Sequence, residues 1–134
     1  MEVRLGGCRC GAIRYEVKGA PVAGVACHCR DCQYGSGGGA NFSMVFHRAG
    51  FRVVKGAPKI YKAKPTSGGS FFCDVCGVQV FSQPDSNPGL VGIKVGSFDD
   101  ARDFRVQVDI WMKSAPPWHR PHDGATQVEG NLSS

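Results

Sequence analysis

The sequence predicts an all-β domain, on two observations. Apolar residues alternate with polar ones over many short runs, the period-2 pattern of strands with one buried face. Gly and Pro clusters bound those runs, and no amphipathic stretch exceeds a turn or two of helix. At 134 residues the chain has the length for one domain around a single core.

In chain order, Val3 to Leu5 reads as a short strand running into Gly6-Gly7, and Cys8-Arg9-Cys10 follows. From Ala12 to Lys18, Ile13, Tyr15 and Val17 alternate with charged residues, and Gly19-Ala20-Pro21 ends the strand. Val22 to Cys27 reads as a further strand, delivering Cys27-His28-Cys29-Arg30-Asp31-Cys32. Gln33 to Gly39 is the most glycine-dense segment, either a flexible linker or a binding loop beside that cluster. Ala40 to Phe46 alternates again, with Phe42, Met44 and Phe46 on one face. Phe51 to Lys55 and Lys59 to Ala63 read as two strands across Gly56-Ala57-Pro58. Beyond the loop Pro65 to Ser70, Phe71-Phe72 leads into Cys73-Asp74-Val75-Cys76-Gly77, whose final glycine permits the tight turn of a zinc knuckle. Val78 and Val80 alternate behind it; Leu90 to Gly96 and Val106 to Trp111 are the last strands. After Ala115 the composition turns to proline and small polar residues. Trp118 is expected to pack back onto a domain spanning residues 1–122, with residues 123–134 a mobile C-terminal tail.

Composition narrows the function. Apolar content of 42% and charged content of 20% are ordinary for a soluble globular chain, and no apolar run approaches bilayer length. The first residues carry no apolar signal-peptide core, so a cytoplasmic location is expected. An odd number of cysteines, seven, fits metal better than a disulfide framework. The formal charge is +5, but seven ionised thiols (−7) with two zinc ions (+4) reduce it to +2. The sixteen Lys and Arg residues are scattered, so no specific nucleic-acid partner and no membrane partner is expected; the oligomeric state stays open.

Seven thiols divide into four and three. Structural zinc takes four ligands in a closed tetrahedron, whereas catalytic zinc keeps three protein ligands and an open position. On an extended segment Cys27 and Cys29 point to one face, and a turn through Arg30-Asp31 returns Cys32 to the same metal. His28, between two ligands, should point away from the metal; a packing or ligand-orienting role stands against a general-base role. Arg30 can meet a substrate carboxylate as a bidentate donor, or be a solvated turn residue. Lys62 and Lys64 are weaker candidates for a second carboxylate, against a solvated strand face. His119 and His122 have ligand-like spacing, but their proline-rich surroundings suggest an exposed tail.

The stretches Gly6 to Glu16, Cys27 to Cys32, Phe72 to Gly77 and Val95 to Asp100 together resemble the glutathione-dependent formaldehyde-activating enzyme family, which also includes the centromere-protein-V-like proteins. The resemblance covers about residues 5–118. It implies an all-β fold of the Mss4-like type. It implies two zinc ions per chain: a structural one on Cys8, Cys10, Cys73 and Cys76, and a catalytic one on Cys27, Cys29 and Cys32. The implied activity is of the carbon–sulfur lyase type, joining glutathione as co-substrate with formaldehyde, or a related small electrophile, to give S-hydroxymethylglutathione. The implied partners are a small-molecule thiol and an aldehyde. Asp109 stands where many members have histidine, and the long glycine loop after Gln33 is unusual. The competing class is a non-catalytic zinc-stabilised binding module, or a glutathione or hemithioacetal carrier, since fold alone does not settle function. The three-cysteine site discriminates, because a purely structural module has no need of it.

Overall fold

A computed structural model describes residues 2–132 of the chain. Two sheets carry the fold. The smaller pairs β1 (Val3–Gly7), β2 (Arg14–Lys18) and β5 (Phe51–Lys55), antiparallel, in the order β1-β2-β5. The larger is built from β3 (Ala23–Cys27), β4 (Asn41–His47), β6 (Lys59–Tyr61), β7 (Ser70–Phe72), β8 (Gln79–Ser82), β9 (Leu90–Lys94), β10 (Val108–Ile110) and β11 (Thr126–Gln127). Its order is β11-β10-β3-β4-β9-β8-β7-β6. Pairing is antiparallel from β3 to β6 and parallel where β10 joins β3 and β11 joins β10. The domain is all-β, as its alternating runs predict.

That alternation places the core. Tyr15 and Val17 of β2 meet Met44 and Phe46 of β4, Val80 and Phe81 of β8, and Val91 and Ile93 of β9 in one buried cluster between the sheets. Val80 and Phe81 are both buried although adjacent, because a bulge between β7 and β8 shifts the register there. Gly6 must lack a side chain: a Cβ there would collide with the Tyr15 ring and the Ser97 carbonyl. On the opposite face of the larger sheet, Val25, Val108 and Ile110 form a second cluster, covered by Trp111 and Val128.

Four local expectations change. Phe51–Lys55 and Lys59–Tyr61 do not pair across Gly56-Ala57-Pro58; they belong to different sheets, β5 beside β2 and β6 beside β7. The turn at Arg30-Asp31 is the start of a short helix, α1 (Arg30–Gly35), because the Cys29 sulfur accepts the Cys32 amide and caps it. Trp118 does not pack into the domain: it is 66% exposed and lies edge-on to the His119 ring. The expected tail pairs instead. Thr126 and Gln127 add to β10, and Val128 donates its amide to the Asp109 carbonyl. The last two residues of that segment lie outside the described ones.

Candidate functional site

Cys8 and Cys10 sit on the turn after β1, and Cys73 and Cys76 on the knuckle between β7 and β8. The two turns belong to different sheets, yet their four sulfurs come within 4.8 Å of one another. Cys8 Sγ lies 3.6 Å from Cys10 Sγ, which lies 3.7 Å from Cys73 Sγ. Four sulfurs around zinc at the usual bond length would stand about 3.8 Å apart along each edge. Backbone amides point at the sulfurs as they do at thiolates: Ile13 to Cys8 at 3.2 Å and Val75 to Cys73 at 3.4 Å. This donor set fits a closed tetrahedral metal.

The other three thiols come from the end of β3 and the start of α1. Cys27, Cys29 and Cys32 are all half-buried, and their sulfurs also lie within 4.8 Å of one another. The Cys32 amide donates to Cys29 Sγ at 3.3 Å. Hydrogen bonds from the Cys27 and Cys32 thiols, with the amides of Cys32 and Asp31, hold the Cys29 thiol down at about 2. Hydrogen bonding with Cys29 and Cys32 pushes the Cys27 thiol up. Three sulfurs fit three corners of a tetrahedron and leave a fourth open.

Behind this cluster lies a line of polar side chains. His28 points away from the sulfurs into the interior, 1% exposed, with Nε2 donating to Asp109 Oδ1 at 2.8 Å. Its Nδ1 lies 2.9 Å from His119 Nδ1, and His119 Nε2 lies 2.8 Å from the Gly38 carbonyl. Asp109 and the Gly38 carbonyl only accept, so two rings must supply three N–H groups for the line to be fully bonded. His122 completes the set, its amide donating to Asp109 Oδ2 and its ring to Oδ1. His119 and His122 are thus not on a free tail; a buried carboxylate and a buried imidazole draw them in. Burial raises the Asp109 carboxyl, but bonds from His28 and from the amide and ring of His122 more than offset it, leaving it below the ordinary carboxylate range. His28, Asp109 and His122 also form a possible ligand set. Their atoms stand at hydrogen-bond separations of 2.8 and 2.9 Å, shorter than the roughly 3.3 Å edge of nitrogen and oxygen ligands around zinc.

A cleft of about 780 Å³ opens at the same end of the larger sheet. Ser36 at the end of α1, Asn41 and Phe42 of β4, Gln79 of β8, Lys94 of β9 and His122 line it. The three thiols do not line it themselves, but Asn41 pairs directly with Cys27. The glycine loop contributes Gly35 and Ser36, so it serves as wall rather than linker. Arg30 is placed elsewhere: its guanidinium donates to Gln33 Oε1 and lies 4.8 Å from the Tyr34 ring centroid, outside the cleft lining. Lys62 and Lys64 are exposed and also outside it. Lys94 is the cation that sequence reading missed. The available signal was a charge inside the otherwise apolar run Leu90-Val91-Gly92-Ile93.

The sequence model of the glutathione-dependent formaldehyde-activating enzymes matches residues 3–114, most of the chain and every cysteine. The chain belongs to that family. Among solved structures it is similar to a protein of Rhodobacter sphaeroides, known from a structural-genomics crystal structure, with 25% identity and a TM-score of 0.64. That likeness covers 73% of this chain and 90% of the other. The all-β, Mss4-like architecture is the one the family resemblance implied. Glutathione-dependent formaldehyde activation is the activity of the family. Among the described residues, no helix is long and apolar enough to cross a membrane.

Proposed function

We propose that this chain joins the sulfur of glutathione to formaldehyde, giving S-hydroxymethylglutathione, at a zinc held by Cys27, Cys29 and Cys32. The observation that carries this reading is a cluster of three half-buried thiols, joined by no fourth cysteine among the described residues, beside a strand whose Asn41 lines a cleft large enough for a tripeptide. Cys8, Cys10, Cys73 and Cys76 hold a second zinc that ties the sheets together. A zinc ion held by Cys27, Cys29 and Cys32 would supply an open position that favours the thiolate of an entering thiol near neutral pH. The chain's own residues do the rest. Cys29 is fixed by the α1 cap, and His28, anchored on Asp109, holds the backbone between Cys27 and Cys29 in place. The cleft orients the thiol beside the aldehyde, the proximity that speeds a two-body addition. In that addition a sulfur–carbon bond forms, the carbonyl π bond opens onto oxygen, and the proton lost from the thiol returns to that oxygen.

All seven cysteines are free, in keeping with a reducing, cytoplasmic setting. The test compares zinc content and adduct formation for the wild type and Cys29→Ser. Two zinc ions per chain, accelerated adduct formation, and loss of one zinc together with the acceleration in the variant are expected. Two zinc ions with glutathione bound but no acceleration over the spontaneous reaction would make the protein a carrier. Unchanged zinc content in Cys29→Ser would remove the site itself.

A further inference from the structure

The Lys94 backbone serves the fold, pairing with Ser43 and accepting from the Ser97 hydroxyl, but among the described residues its side chain has no hydrogen-bond or carboxylate partner. The residue ends β9, is half-buried, and makes no ion pair with a carboxylate among the described residues. Placing a lysine there without a counter-charge is unfavourable, and burial does push its ammonium down. The charged groups near enough to act on it are the sulfurs of Cys32, Cys27 and Cys29.

Strand register accounts for that proximity. Cys27 lies directly opposite Asn41, and Lys94 directly opposite Ser43, so all four side chains project from one face of the larger sheet. Two strand spacings and a two-residue offset separate Cys27 from Lys94, about 12 Å between Cα atoms. The flexible four-carbon stem of a lysine covers much of that span. The same residue lines the cleft from which a ligand would enter.

We propose that Lys94 is the counter-charge of the three-thiol metal site and makes its open position receptive to an anionic ligand. The argument rests on the zinc reading given above. Three thiolates around a divalent ion already carry one net negative charge, and a fourth thiolate would make it two in a half-buried setting. Anion entry there is electrostatically opposed unless a cation stands close by. Lys94 is the cationic side chain that lines the cleft, since Arg30 is turned toward Gln33 and Tyr34. Its ammonium brings the loaded site to neutrality before the ligand arrives. A unit charge a few ångströms away in such a setting changes the affinity for an anion by tenfold or more. Lys94 is thus a positioning and selectivity residue, favouring thiolates and other anions over neutral donors such as imidazole.

The test uses cobalt-loaded full-length protein, whose visible spectrum reports each new ligand, titrated with glutathione, thiocyanate and imidazole. In Lys94→Met the affinities for glutathione and thiocyanate should fall about tenfold or more. Imidazole affinity and the melting temperature should stay near wild type, and Lys94→Arg should restore anion binding. Equal anion affinity in wild type and Lys94→Met overturns the proposal while leaving the proposed activity standing. A wild type that takes up thiocyanate in a Lys94-dependent way but ignores glutathione supports the counter-charge and removes the glutathione reading. A wild type whose spectrum answers to none of the three ligands overturns both.

Discussion

Asp109 is a charged side chain in the interior, and its surroundings show how it is accommodated. Its carboxylate, fully buried, accepts from His28 and from both the amide and the ring of His122. Because these bonds lower its folded pKa, its contribution to stability is complete above the ordinary aspartate value, near 4. It is lost as pH falls through the lower folded value. Asp109→Asn should therefore cost about 2–4 kcal/mol at pH 7. Urea unfolding of both metal-loaded proteins at pH 7 measures it, since acid strong enough to protonate Asp109 would also strip zinc from thiolate sites. A variant as stable as the wild type would detach the buried carboxylate from the stability of the fold. A second residue-scale test is steric. A Cβ on Gly24, in the middle of β3, would collide with the Arg105 carbonyl. Backbone cannot step aside as a flexible side chain can, so Gly24→Ala should lose about 1–3 kcal/mol, again read by urea unfolding.

At the scale of elements, the fold is held at two joints. The first is the four-cysteine group, which fastens the β1–β2 turn of one sheet to the β7–β8 turn of the other, residues 63 positions apart at Cys10 and Cys73. A structural zinc at such a joint contributes on the order of 10 kcal/mol in small peptides, more than most domains have in reserve. Cys73→Ser is expected to yield an insoluble or strongly destabilised chain, whereas Cys29→Ser keeps the fold. A Cys73→Ser variant with unchanged melting temperature and zinc content would show that the joint does not depend on metal. The second joint is β11. It adds to β10, while the Gly130 and Val128 carbonyls accept the amides of Trp111 and Met112. Cutting the chain after Asp123 removes these partners and uncovers Val25, Val108 and Ile110. We expect that truncation to lower the melting temperature by several degrees, as loss of about 1 kcal/mol or more does for a domain of this size. An unchanged melting temperature would return those residues to the status of a tail.

For the whole molecule, the charge distribution decides which partners are suited to it. Four of the sixteen Lys and Arg residues are answered by acids (Arg4 by Asp103, Arg14 by Asp99, Arg52 by Glu16 and Arg102 by Asp100), and the others are scattered along the chain. Zinc on the seven thiols would lower the net charge from +5 to +2, and Lys94 lines the cleft. Binding to duplex DNA is therefore expected to be weak and to vanish between 50 and 200 mM salt, roughly the range in which counterion release erases non-specific contacts. A sequence-specific complex surviving at physiological ionic strength would favour a binding module over an enzyme.

The all-β architecture and the division of seven cysteines into four and three were legible from the chain alone. Alternation and ligand spacing are local signals, complete within a few residues; Ile13-Arg14-Tyr15-Glu16-Val17 and Cys27-His28-Cys29 each carry their reading in themselves. Other features required the tertiary structure. Composition after Ala115 suggested a free tail, because nothing local shows that Asp109 and His28 wait to receive His122 and His119, or that β10 has an open edge for Thr126 and Gln127. Arg30 and Lys94 are placed differently for the same reason, one outside the cleft lining and the other within it. Arg30 is adjacent to the thiols in sequence, yet its guanidinium is taken up by Gln33 and Tyr34. Lys94 is more than sixty residues from Cys32, and only the β3-β4-β9 register sets it on the sheet face that carries Cys27. A sequence displays the ligands that a short segment can gather. The charge that answers them comes from whichever strand the sheet sets alongside.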